Sequence, residues 1–452
     1  MDKVVIIGSG VAGVNAATKL VDNGYDGNLI TIIDMGKDPF RRSPSEVMTG
    51  FLGAGGWSDG KLTYHTSIGG HMSKYCGEEK AMSLFNEVIE NFKRFHPKPE
   101  EVQCSDPQAE PDFIKPYFGL RLFPVWHVGT DYLHEIGKNW YNYLVGSGVT
   151  FKWECKVTDI DFNESTLVYT KLENGSTKEL SYDKLIFGVG KSGIDFGKKL
   201  IEENGFPTEP KPVQIGVRFE APQYHFQNLI DVSYDFKLYR KFEDKGVSLR
   251  SFCTNNNAAY VAVESTYGDH SYNGHAKKDE AYRNDMTNFG ILMEVKGIDK
   301  PFEWSREAVE KLQFEGTGMY YSPNGTRMPS NTSEGNRVQS KIQDSTKPLF
   351  DAYGEYAQYI IDFIEDMKKV FPTLGDDWGM YMPEVKYLSP EPLVDYKTLA
   401  LTKAPDVHFV GDALSARGIT VSGAQGIYVA EEIIGDFKQE LAYDSFGDNI
   451  EF

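Results

Sequence analysis

Four consecutive apolar residues, Val4, Val5, Ile6 and Ile7, predict a buried strand, and they run straight into Gly8-Ser9-Gly10-Val11-Ala12-Gly13. A helix is expected over Val14 to Val21, ending at Asn23-Gly24, and a second strand over Leu29 to Ile33 ends in Asp34. Apolar residues at spacings of three and four mark three further helices. Met82, Phe85, Ile89 and Phe92 define the first, and Leu133, Ile136, Trp140 and Leu144 the second, which follows Gly129-Thr130-Asp131 and closes at Gly146 and Gly148. The third runs from Tyr356 to Val370 with Ile360, Ile364, Met367 and Phe371 as its stripe, and Pro372 stops it. Strands alternate from Val149 to Val189 around a hairpin at Asn174-Gly175, and aromatic and β-branched residues take over from about Pro212. Val407 to Phe409 is a last strand meeting Gly411, with a helix through Glu432.

The first glycine run sets the chemistry. Gly8 permits the tight turn, Gly10 lets a pyrophosphate approach the backbone, and Gly13 lets the helix pack on the strand, so phosphate oxygens meet a helix N-terminus. Strand, helix and a following acid all agree with a dinucleotide site. Asp34 is placed to bind both hydroxyls of the adenosine ribose, and its charge repels a 2′-phosphate, which argues against NADP there.

A second run of the same letters, Gly188-Val189-Gly190-Lys191-Ser192-Gly193, follows Lys184 to Phe187 and precedes a helix over Ile194 to Glu203. A true nicotinamide site needs an acid at the end of the next strand, about 20 residues on. The next strand, Val213 to Phe219, follows two prolines and reaches Glu220 late, so this run is expected to be a turn lying against the first dinucleotide. Gly50 to Leu62 is glycine-rich and punctuated by Ser58, Asp59 and Lys61, which suits close backbone approach to a ligand. Asp412 is expected to accept from a ribityl hydroxyl, with the next helix directing its positive end at a flavin edge that becomes anionic on reduction. His127 is expected to be a satisfied loop histidine.

At 452 residues the chain is too long for one core. Its 40% hydrophobic and 13% aromatic content is globular, and no apolar run approaches a membrane span or a cleavable signal. A net charge of −19 works against non-specific binding to nucleic acid or anionic membrane, without excluding a local basic groove. Cys76, Cys104, Cys155 and Cys253 are far apart, so neither a disulfide framework nor a metal site is expected, and a cytoplasmic location fits. The polar stretch Ser322 to Asp344 reads as a long flexible loop.

Taken together, the chain resembles the two-dinucleotide-fold flavoproteins, and more closely a group of NAD(FAD)-utilising, FAD-dependent dehydrogenases. The resemblance rests on Ser58-Asp59-Gly60-Lys61-Leu62, His127-Val128-Gly129-Thr130-Asp131, Gly216-Val217-Arg218, and Gly411-Asp412 with Arg417-Gly418-Ile419. It implies FAD as cofactor, with the segment like Ile186 to Gly190 lying beside it. One departure stands out: the group commonly has Cys-x-Cys-Pro-Gly-Gly where this chain reads Cys253-Thr254-Asn255-Asn256-Asn257-Ala258. The second cysteine is Asn255, so Cys253 is expected to be inert packing rather than half of a dithiol relay.

The resulting expectation is an α/β protein: a Rossmann-like FAD-binding domain (1–70, 125–211 and 390–452) with a helical insertion (71–124) and an inserted α+β substrate domain (212–389). FAD is expected to be held by Gly8, Ser9, Gly10, Val11, Ala12, Gly13, Asp34, Met35, Gly55, Ser58, Asp59, Val157, Gly188, Gly190, Gly411, Asp412, Gly418 and Ile419. Lys61 and Arg417 are the catalytic candidates, as cations for reduced flavin or an anionic substrate, with structural ion pairing as the equal alternative. The expected activity is hydride transfer between a small-molecule or modified-group substrate and flavin, NAD(P)H being one choice of electron donor. Two rival readings stay open: a flavin-dependent amine or amino-acid oxidase or lyase acting on, for example, a nucleobase-linked amine, and a non-catalytic flavin-bearing binding protein.

Overall fold

The computed structural model describes residues 1–43, 46–264, 269–277, 281, 283–329, 338–386 and 390–447. Val4–Ile7 is apolar on both faces because it lies at the centre of a sheet, paired in parallel with Ile30–Ile33 on one side and Lys184–Phe187 on the other. The six strands stand in the order Ala400–Leu401, Ala404–Phe409, Lys184–Phe187, Val4–Ile7, Ile30–Ile33, Thr150–Lys152, parallel except for the Ala400–Leu401 edge. Strand order therefore reverses between Val4–Ile7 and Lys184–Phe187, the place where doubly wound sheets bind ligands at their carboxyl ends.

The helix Val11–Asp22 starts inside the glycine run, three residues before the expected Val14. It packs against the long helix Ile419–Gly447 so closely that a Cβ at Gly426 would lie 2.0 Å from Ala12 O. Leu133, Ile136, Trp140 and Leu144 are buried on the helix Leu133–Gly146, and Trp140 donates to Thr18 at 2.7 Å. Burying side chains of this size stabilises by about 1.5–3 kcal/mol each, which is why the three-and-four spacing was a reliable guide.

The second body is an eight-stranded sheet. Its order is Ser340–Gln343, Gly318–Tyr321, Gly379–Val385, Val213–Pro222, Met286–Val295, Val247–Asn255, Lys237–Phe242, Gly119–Arg121, antiparallel except at the Ser340–Gln343 edge. Helices Pro301–Lys311 and Ala357–Val370 cover it through a core containing Val309, Ile360, Phe363 and Ile364. A hairpin of Ala259–Glu264 and Ser271–Ala276 lies beside it.

Two expected boundaries need correction. The helical insertion holds only one long helix, Glu78–Phe95. Gln103–Ser105 instead joins a small sheet with Val125–His127 and Lys61–Thr63, and Gly119–Arg121 forms the edge of the eight-stranded sheet. Short edge strands carry too little periodicity to be seen in sequence. The polar stretch Ser322 to Asp344 contains the strand Ser340–Gln343, paired in parallel with Gly318–Tyr321, while 330–337 lies outside the described residues.

Candidate active site

A cavity of about 280 Å³ opens where the strand order reverses. The turn after Val4–Ile7 gives Gly8, Gly10, Val11 and Ala12, and the end of Ile30–Ile33 gives Asp34 and Met35. Val157, Gly188 and Gly190 come from the next segments, and Gly411, Asp412, Gly418 and Ile419 from the last. Gly55, Ser58 and Asp59 complete the expected set. Of the cofactor residues named from sequence, only Ser9 and Gly13 stand back from this wall. Gly13 packs under the turn, where a Cβ would lie 2.2 Å from Gly8 O, and Ser9 is fully buried.

The glycines fit an approaching nucleotide. A Cβ at Gly10, Gly190 or Gly418 would meet nothing within 4 Å, so each leaves backbone open where a ligand needs it. Val11–Asp22 has no side-chain cap and no acid in its first turn, leaving its N-terminal N–H groups for an anion. Gly8 is different: its φ is +98° and a Cβ would lie 2.3 Å from Gly188 O, so it fixes how closely the two glycine turns meet. The second turn is not a second dinucleotide fold. After the helix Ile194–Glu203 the chain leaves for the antiparallel sheet and returns to this one only at Ala400–Leu401 and Ala404–Phe409.

Asp34 is more deeply engaged than the ribose role requires. Its Oδ2 accepts from the Ser9 N–H at 2.8 Å and the Ser9 hydroxyl at 2.7 Å, and its Oδ1 accepts from Gly36 N–H at 2.7 Å and Gly50 N–H at 2.9 Å. The acceptor capacity of the carboxylate is thereby taken by the chain itself.

Neither catalytic candidate lines the cavity; each backs an acid that does. Lys61 Nζ lies 2.9 Å from Asp59 Oδ2 and donates to Thr254 O, while Arg417 pairs through Nη1 with Asp412 Oδ1. Both side chains are thus ion-paired with carboxylates that line the cavity. Burial raises the Asp59 pKa, but Lys61, then His127 and His275, outweigh it and hold the carboxyl below its ordinary range. Burial lowers the Lys61 pKa, but Asp59 and Asp235 hold the ammonium above its ordinary value. His127 is on a strand rather than a loop, paired across from Lys61 and edge-on to the Tyr234 ring at 5.4 Å.

The sequence reading missed one wall entirely. Cys253, Asn273, Gly274 and His275 of the second body line the cavity together with Asp59, and the Cys253 thiol lies 3.5 Å from Asp59 Oδ2. Cys253 is therefore part of the cavity lining. It sits at φ +50° where the strand Val247–Asn255 slips register against Met286–Val295, and its carbonyl accepts from the fully buried Arg218 at 2.7 Å. Asn255, in place of the second cysteine, puts its amide nitrogen 3.8 Å from the same sulfur. The Cys-to-Asn departure was the only signal pointing here; Asn273 to His275 carried none.

A further missed residue is Arg42. Its guanidinium donates to the carbonyls of Glu46, Val47, Phe51 and Gly53, at 2.5–3.1 Å, and so shapes the loop that supplies Val47, Leu52 and Gly53 to the cavity.

No family model and no curated protein matches the chain. Among solved structures it is similar to a flavoprotein/dehydrogenase from Cytophaga hutchinsonii, at 12% identity over 96% of this chain and 79% of that one, with a TM-score of 0.40. It is similar also to the glycerol-3-phosphate dehydrogenase from Bacillus halodurans complexed with FAD (13% identity, 98% of this chain and 65% of that one, TM-score 0.41). A third is the flavin-dependent brominase Bmp2 (14% identity, 95% of this chain and 79% of that one, TM-score 0.43).

Proposed function

We propose that this chain is an FAD-dependent oxidoreductase that moves hydride between a small-molecule substrate and flavin. The observation that carries the reading is the cavity at the reversal of strand order, walled by glycine turns whose open backbone faces it.

In this reading the N–H groups at the start of Val11–Asp22 hold the pyrophosphate, and Ile33 to Met35 take the adenosine end. Asp412, Gly418 and Ile419, which line the cavity, would hold the flavin end, and the helix Ile419–Gly447 would offer it a positive N-terminus. Bound FAD supplies the two-electron carrier that no side chain provides. The chain's own groups Asp59, Cys253, Gly274 and His275, which line the cavity together, orient the substrate. Among the described residues no second dinucleotide fold is built, so an electron donor such as NAD(P)H would use this same cavity. No helix among the described residues is long and apolar enough to cross a membrane, and all four cysteines are free, in keeping with a reducing, cytoplasmic setting.

The test is an absorbance spectrum of the purified protein, before and after reconstitution with FAD, followed by anaerobic titration with NADH, NADPH and a panel of amines. A flavin spectrum that survives gel filtration is expected, with bleaching by one donor class. A protein that stays colourless after reconstitution overturns the proposal.

A further inference from the structure

The cavity wall from the second body brings together titratable groups that the cofactor does not account for. Cys253 Sγ lies 3.5 Å from Asp59 Oδ2, and the same oxygen is 2.9 Å from Lys61 Nζ. Lys61 Nζ also lies 5.4 Å from the Tyr234 ring centroid. Cys253 and His275 both line the cavity, His275 with its ring stacked on Tyr260 at 5.4 Å. Around the sulfur stand Asp59 and Lys61 from the glycine-rich segment, Asp235 from beside the edge strand, and Arg218 from the sheet centre; His127 and His275 face Asp59.

We propose that Cys253, held by Asp59, is the proton donor of this cavity to a polarised double bond (C=C, C=O or C=N) that takes hydride from reduced flavin. The inference rests on the flavin reading and names its substrate class. In the step, hydride adds to one atom of the double bond while the Cys253 S–H bond breaks and its proton adds to the other. Flavin is oxidised by two electrons and the substrate is reduced by two. The thiolate left behind lies near Lys61 and Arg218 and regains a proton from water.

The electrostatics agree with this division of roles. Burial, then Asp59, pushes the thiol pKa up, against the pull of Lys61 and Arg218, so the sulfur carries its proton at neutral pH. Asp59 is held ionised, and its Oδ2 accepts from the Cys253 thiol, fixing the sulfur at the cavity lining. Lys61 is a positioning residue, acting through Asp59.

The experiment uses FAD-loaded wild type, Cys253→Ala, Cys253→Ser, Asp59→Asn and His275→Asn. On raising pH, the wild type should gain long-wavelength charge-transfer absorbance as the thiolate forms beside oxidised flavin, and both Cys253 variants should lose it. In Asp59→Asn its midpoint should move toward neutral pH by about one unit or more, because a like charge has been removed. Dithionite-reduced protein is then mixed with cyclohexenone, cyclohexanone and a cyclic imine as probes. At least one should reoxidise the flavin, and Cys253→Ala should slow that step on the order of 100-fold with little change in probe affinity. Flavin retained without thiol-dependent absorbance, no reoxidation by any probe, or a rate that falls only in His275→Asn overturns this inference and leaves the flavin reading standing. Wild type that retains no flavin overturns the flavin reading itself.

Discussion

Ser9 is joined to Asp34 twice, its backbone N–H and its hydroxyl both donating to the one carboxylate oxygen, at 2.8 and 2.7 Å. The other oxygen holds Gly36 and Gly50, so a single acid ties the first glycine turn to the loop that begins the next wall of the cavity.

Asp34→Ala should therefore destabilise the protein even without flavin. It orphans several buried donors, each costing about 1–3 kcal/mol, so a loss of at least about 2 kcal/mol is expected in denaturant unfolding of flavin-free protein, together with weaker FAD retention. An unchanged flavin-free stability would mean that the acid serves the ribose alone.

Gly190→Ala tests the second glycine turn. Gly190 has φ +61° and ψ −168°, a region that an alanine enters only at a cost of about 1–3 kcal/mol, although the space above it is open. FAD should bind more weakly and calorimetry should find no separate NAD site to lose. Tight NAD binding abolished by this change would make the turn a nicotinamide site after all.

Lys61→Met should reverse the response of stability to acid. In the wild type the Asp59 carboxyl is held below its unfolded value, so its contribution is fully present above about pH 4, the unfolded carboxylate range, and is lost only as pH falls through the lower folded value. Without Lys61 the buried carboxylate is uncompensated, its folded pKa rises above the unfolded one, and the variant should become more stable, relative to wild type, as pH falls from 7 to 5. Breaking a buried pair costs about 3–5 kcal/mol at neutral pH. Parallel pH profiles of unfolding free energy for the two proteins would show that the pair contributes nothing.

Arg417→Met leaves Asp412 unpaired at the cavity wall. An uncompensated negative charge there should disfavour anionic reduced flavin and make the two-electron potential more negative, by about 30 mV for each 1.4 kcal/mol. Spectroelectrochemical titration reads this directly, and an unchanged potential with flavin still bound would place the pair away from the ring.

Arg42→Met should loosen the loop it organises. Four carbonyls lose a charged donor, so a loss of about 3 kcal/mol or more is expected, with faster proteolysis between Glu46 and Gly53 and weaker FAD retention. Arg42→Lys should not rescue it, because an ammonium cannot reach the set of acceptors that the planar guanidinium spans.

The amino-acid sequence by itself determined the parts whose physics is local. A strand that is apolar on both faces, a glycine run that must turn tightly, and helices whose stripes recur at three and four residues are written in consecutive residues, so Val4–Ile7, Gly8 to Gly13 and Leu133–Gly146 were legible from their letters. The widely spaced segments around Asp34, Gly188 and Asp412 were legible too, because each carries its own strand-to-glycine signature. What only the tertiary structure decided is which side chains meet. In sequence Lys61 and Arg417 read equally as catalytic cations or as ion-pair partners; folding sets each against an acid, and for the buried Lys61 an ammonium without a partner would be too costly. Cys253 looked inert because Asn255 stands where the second cysteine of a dithiol relay would be. It became part of the cavity because a slipped strand register and the buried Arg218 bring it to Asp59, a residue nearly two hundred positions away, and no local pattern records a contact made across two sheets.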